Sequence, residues 1–108
     1  MAEVVLDGQR ITGWESFHAE CKQAFGFPEF YGANMNAWVD CLTYLYDADG
    51  MSHVVLQPGE QLHIRVRDAD TLRRRQPEIL QALVECTEFT NRRYREAGEA
   101  PALALELL

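Results

Sequence analysis

The stretch Phe27–Tyr46, FPEFYGANMNAWVDCLTYLY, is a loop feeding a helix, and the rest of the chain arranges itself around it. Phe27-Pro28 demands extended backbone, because the proline ring crowds the preceding residue out of the helical region. Gly32 relaxes the chain again, and Asn34 has the short acceptor side chain that suits a helix N-cap. A helix is predicted from Met35 to about Tyr46, ended by Asp47–Gly50. At 100° per residue, Asn36, Asp40, Thr43 and Asp47 fall within about 60° of one another, with Tyr44 beside them. Trp38, Cys41, Leu42 and Leu45 cover the opposite side, with Met35 at its edge. The polar side carries no Lys or Arg. An ordinary solvated helix mixes both signs, since opposite charges four residues apart support each other. Unpaired acids interleaved with an aromatic ring and a hydroxyl are more typical of an interface. A plain wet surface is the alternative.

Outward from that helix, Glu3–Gly8 reads as a short strand closed by a turn at Asp7-Gly8. Thr12 can cap a helix over Gly13–Phe25, whose apolar residues Trp14, Phe17, Cys21, Ala24 and Phe25 recur at steps of three and four. Gly26 stops it. SHVVLQ (Ser52–Gln57) and Leu62–Arg67 are both strand-like, with the turn signal Pro58-Gly59 between them. The second alternates Leu62, Ile64 and Val66 against His63, Arg65 and Arg67. Asp68 or Asp70 caps a short helical turn, and Arg73–Arg75 within it form a solvated run that can pair with those acids. Pro77 opens a long helix to about Ala97, with a core face of Leu80, Leu83, Val84, Thr87, Phe89 or Thr90, and Tyr94. Gly98 stops it, and Ala100–Leu108 is a final strand, apolar enough to be central. Strands joined by helical crossovers imply an α/β fold with a mostly parallel sheet packed with helices. An extra strand or hairpin within 52–67 remains open.

The 108 residues suffice for one domain, 1–108, and 47% of them are hydrophobic, enough for a core. The net charge of −7 speaks against direct nucleic-acid binding and makes a basic partner electrostatically easier. Acidity that merely keeps the protein soluble is the alternative. No apolar run approaches the roughly 20 residues of a membrane helix. The N-terminus lacks the pattern of a signal peptide, so a cytoplasmic protein without membrane association is expected. Cys21, Cys41 and Cys86 lie in apolar helical patterns without metal spacing, which points to buried thiols. Neither cofactor nor metal is called for. His18, His53, His63, Asp40 and Cys41 are the residues that acid–base or nucleophilic chemistry would draw on. Cys41 and Asp40 face opposite sides of their helix, His18 lies one step off an apolar stripe as a surface residue, and His63 is a partly buried structural residue. No nucleophile elbow or P-loop occurs, so an enzyme is not expected.

FPEFYGANMNAWVDCLTYL is similar to the helix-two signature of the barstar family, P-E-Y-Y-G-x-N-x-D-A-L-W-D-C-L. Pro28, Glu29, Tyr31, Gly32, Asn34, Ala37, Asp40, Cys41, Leu42 and Thr43 match as they stand. VVLDGQRI resembles the family's opening strand and turn, and YREAGEAPALALELL its last helix and strand. Asp49–Gln61 departs as an insertion. The resemblance implies a three-stranded parallel sheet and an intracellular protein inhibitor of a ribonuclease, monomeric when free, in an immunity or antitoxin role. It implies that the second helix and the loop before it plug the enzyme's active site. Acidic side chains then stand where RNA phosphates would lie, which complements a site rich in Arg, Lys and His. The partner-binding set carried over is Phe30, Tyr31, Gly32, Asn34, Asn36, Val39, Asp40, Thr43, Tyr44, Asp47 and Glu96.

Within that set Asp40 matches the family's central acid, and Glu96 matches an acid of the last helix. Asn36 stands where a second helix acid is usual; it keeps the shape and loses the charge. Phe30 keeps the ring of a loop tyrosine without its hydroxyl. Val39 and Leu45 replace tryptophans, Trp38 lies one position toward the core, and Tyr44 replaces a glycine. The partner expected is a basic ribonuclease or toxin domain other than a barnase-like enzyme. The alternative is a binding module of the same fold whose partner is not a ribonuclease.

Overall fold

Leu62, Ile64 and Val66 put three branched apolar side chains on one side of an extended segment, and that segment becomes the centre of the sheet. In the computed structural model, which describes residues 2–108, β2 (Leu62–Arg67) pairs in parallel with β1 (Ala2–Asp7) on one side and β3 (Leu103–Leu107) on the other. Val4, Ile64 and Leu105 lie in one register row. The three-stranded parallel sheet and four helices are the architecture expected from the sequence. The last strand is not central, however. It is an edge, and Leu107 is exposed, whereas Leu62, Ile64 and Val66 are fully buried. Apolar residues on both parities of β3 did not mark the centre, because one face of this sheet is polar. There Arg65 bridges Glu106 at 2.7 Å and Glu3 at 3.5 Å across all three strands.

The chain between β1 and β2 holds α1 (Trp14–Phe25) and α2 (Met35–Leu42). Gly13, not Thr12, is the N-cap of α1; the Ser16 hydroxyl accepts from both Thr12 N and Gly13 N. Phe17, Cys21 and Phe25 bury the face that the spacing predicts. Trp14, at the first turn, is exposed instead. Gly26 ends the helix in the left-handed region, φ 69°, where a Cβ is disfavoured. Between β2 and β3 lie α3 (Ala69–Arg75) and α4 (Pro77–Glu96). In α3, Arg73 pairs with Asp70 at 2.8 Å, as the sequence suggests. The buried face of α4 is Ile79, Leu80, Leu83, Thr87, Thr90, Asn91 and Tyr94. Asn91 clamps β3, donating to Leu103 O at 3.0 Å and accepting from Leu103 N at 2.9 Å. Val84, expected in the core, is exposed, and of the alternatives Phe89 and Thr90 it is Thr90 that is buried while Phe89 is exposed.

Two expectations fail between α2 and β2. The second helix stops at Leu42, four residues early, and continues as turns. Ser52–Gln57 forms neither strand nor hairpin. Its backbone groups are taken elsewhere: His53 N donates to Phe25 O at 3.0 Å and Leu56 N to Leu45 O at 2.7 Å. Leu56 is buried in the core, so the segment fastens the ends of two helices rather than extending the sheet. No helix among the described residues is long and apolar enough to cross a membrane.

Candidate functional site

The loop before α2 is held at both ends by its own chemistry. Tyr31 N donates to Pro28 O at 3.0 Å, closing a turn that leaves Phe30 at the tip, 77% exposed. The ring of Tyr31 packs 4.7 Å from that of Phe27 and its hydroxyl meets His18 Nδ1 at 2.7 Å. Burial pushes the Tyr31 phenol up and the His18 imidazole down from their ordinary ranges. His18, expected on the surface, is buried at 6% exposure because it supports this loop and stacks on Trp14. Ala33 takes a left-handed conformation, φ 51°. Asn34 then caps α2, its side chain accepting from Ala37 N at 2.8 Å and donating to Gly32 O at 3.2 Å. A Cβ on Gly32 would press on that capping amide at 3.1 Å. Gly32 and Asn34 therefore shape the loop, and Phe30 is the side chain it displays.

On α2, Asn36 and Asp40 are exposed, Thr43 is half-buried at the C-cap, and Val39 is buried. Thr43 donates back to Val39 O at 2.7 Å. Tyr44 is exposed on the following turn. Asp47 does not share the helix face: it belongs to the next turns, donating from N to Tyr44 O and accepting from Gly50 N, both at 3.1 Å. The premature end follows from α4. Tyr94 Oη donates to Leu42 O at 2.7 Å and accepts from Leu45 N at 3.1 Å, capturing backbone groups that a longer helix would use itself. Burial pushes the Tyr94 phenol up to about 12.

The acidic face is not free of cations, as the helix alone suggests. Arg93 of α4 reaches across, its Nη1 lying 3.0 Å from Asp40 Oδ1 and 3.4 Å from Thr43 Oγ1. Its guanidinium carbon sits 5.2 Å from the centroid of the Phe89 ring. Between the helices runs a groove of about 550 Å³, walled by Met35, Asn36, Val39 and Asp40 on α2 and by Glu85, Cys86, Phe89 and Arg93 on α4. Sequence reasoning missed the α4 wall. Its signal was present: Glu85, Phe89, Arg93 and Glu96 recur at steps of four, four and three, which makes one stripe along a helix. Glu96 closes that stripe as the last, exposed residue of α4. Cys21 and Cys41 are buried as expected, while Cys86 is only half-buried at the groove. Burial raises all three thiols, Cys21 to about 12, which holds them protonated at neutral pH. The arrangement offers a carboxylate, a hydroxyl, an aromatic face and an exposed ring on a braced loop. These are binding groups, suited to a cationic partner.

A family model described as Barstar (barnase inhibitor) matches residues 1–106. A protein of Bacillus subtilis (strain 168) called "Putative ribonuclease inhibitor YrdF" is 37% identical over 43 residues. That alignment takes in 40% of this chain and 47% of the Bacillus protein, so it spans about half of the relative's own length.

Proposed function

Because the chain belongs to the barstar family, we propose that it is a protein inhibitor of a basic ribonuclease, or of a toxin domain of ribonuclease type. It blocks the active site with α2 and the loop before it. Asp40 is the anchor, Phe30 and Tyr44 supply aromatic surface around it, and Glu96 adds negative charge from the end of α4. Asn36 and Thr43 complete the face, with Val39 buried beneath it at the floor of the groove and Tyr31, Gly32 and Asn34 holding the loop in shape. Asp47 joins the partner only at the rim. The observation that supports this most is Asp40, standing 59% exposed beside a groove on the helix that carries the family signature. A ribonuclease site gathers Arg, Lys and His to bind a polyanion, and a rigid acidic face complements it. A chain of net charge −7 is steered toward such a target and away from RNA itself.

The test is capture of the partner on the immobilised intact chain, followed by an RNA-cleavage assay of the eluted protein with and without added inhibitor. The expected result is a ribonuclease whose activity is titrated away at one equivalent. A captured protein without nuclease activity would transfer the reading to a protein-binding module of the same fold. The pairing of Asp40 with Arg93 favours that second reading, because it removes net charge from the acidic face.

A further inference from the structure

We propose that Arg93 is a built-in competitor for the acidic anchor, occupying in the free protein the place that a guanidinium of the partner takes on Asp40. The proposal rests on the reading of Asp40 as the anchor. Three features that hold a guanidinium from any source converge here: the Asp40 carboxylate at 3.0 Å, the Thr43 hydroxyl at 3.4 Å and the Phe89 ring at 5.2 Å. In the free protein all three are spent on a residue of the same chain. Met35 and Val39 continue the groove beyond them and give an incoming side chain an apolar wall for its aliphatic stem.

The magnitudes favour displacement over permanent closure. Both members of the pair are well exposed, Arg93 at 42% and Asp40 at 59%. Exposed ion pairs of this kind are weak enough for a partner's side chain to replace. While Arg93 stays seated, the pair is neutral as a unit and an approaching cation meets a like charge a few ångströms from its goal. Arg93 therefore lowers affinity for every cation and selects among them. A guanidinium regains the carboxylate and hydroxyl contacts and the contact with the Phe89 ring that Arg93 gives up. An ammonium makes a single-point contact and stacks less well, so lysine is discriminated against.

The experiment is a nuclear magnetic resonance titration of the intact chain with N-acetyl-arginine methylamide and, separately, its lysine counterpart, following the amide signals of Asp40 and Phe89. Arg93→Gln is expected to bind the arginine probe about three- to tenfold more tightly than the wild type. It should prefer arginine to lysine, and the gain should vanish in the Asp40→Asn, Arg93→Gln double variant. Arg93→Met, which removes the competing charge and keeps the aliphatic stem, should shift affinity in the same direction and covers the case in which Arg93→Gln does not fold. Equal or weaker binding by these variants, a gain that survives loss of Asp40, or absence of a saturable shift at Asp40 overturns the proposal. A captured partner without ribonuclease activity would remove the ribonuclease reading and leave this result standing. Unchanged arginine affinity would do the reverse.

Discussion

Asp40 is not an isolated surface carboxylate. One of its oxygens accepts from Arg93 at 3.0 Å, while more than half of the side chain stays open to solvent. That combination holds the carboxylate in a defined direction with capacity left for a partner. Truncation of an interface anchor costs about 2 kcal/mol or more, roughly a thirtyfold loss of affinity. Asp40→Ala should therefore weaken binding of the captured partner by at least that factor in isothermal titration calorimetry. Affinity unchanged within error would refute its role. The sequence showed Asp40 on the polar side of its helix, because helical spacing alone sets that. It did not show Arg93, which lies 53 residues away along the chain.

At the scale of elements, two braces hold the proposed face in place. Tyr94 ties α4 to the end of α2 through one donated and one accepted hydrogen bond. Tyr94→Phe leaves a buried carbonyl and a buried N–H without their partner, at a cost of about 1–3 kcal/mol. Urea denaturation should show the midpoint falling with the slope unchanged; an unchanged midpoint would mean the bonds contribute nothing net. The second brace joins α1 to the loop through His18 and Tyr31 at 2.7 Å. Burial lowers the His18 pKa in the folded state, so folding favours the neutral ring. This contribution is fully present above the unfolded value of about 6.5 and is lost as pH falls through the lower folded value. Stability measured between pH 7.5 and pH 5 should decline, and His18→Gln should flatten that decline. An identical pH slope in the variant would count against the brace. The spacing of α1 placed His18 beside the apolar stripe. That the ring is buried depends on a loop folding back over it, which helical periodicity does not register.

For the whole molecule, a net charge of −7 acts at longer range than any single pair. The association rate with a basic partner should fall at least about tenfold between 20 mM and 500 mM salt in stopped-flow measurements, as screening shortens the reach of the field. A flat salt profile would exclude a basic target surface. Local patterning also explains how much of the fold was legible. Leu62, Ile64 and Val66 alternate, Phe17, Cys21 and Phe25 recur at helical steps, and Asn34 and Gly26 mark helix ends, so most elements and their order follow from spacing and capping. SHVVLQ has the residues of a strand, yet its backbone groups bond to Phe25 O and Leu45 O, and it buries Leu56 between helix ends. The last strand has the apolar content of a central one, yet it lies at an edge. By itself, the sequence determined the α/β order, the burial of Phe17, Cys21 and Phe25 on α1 and of one face of β2, and the helix bearing Asp40, because these depend on residues within one or two turns of each other. Only the tertiary structure decided where α2 stops, which strand is central, and that Arg93 stands over Asp40, because each depends on a hydrogen bond or charge contact between distant segments competing for the same groups.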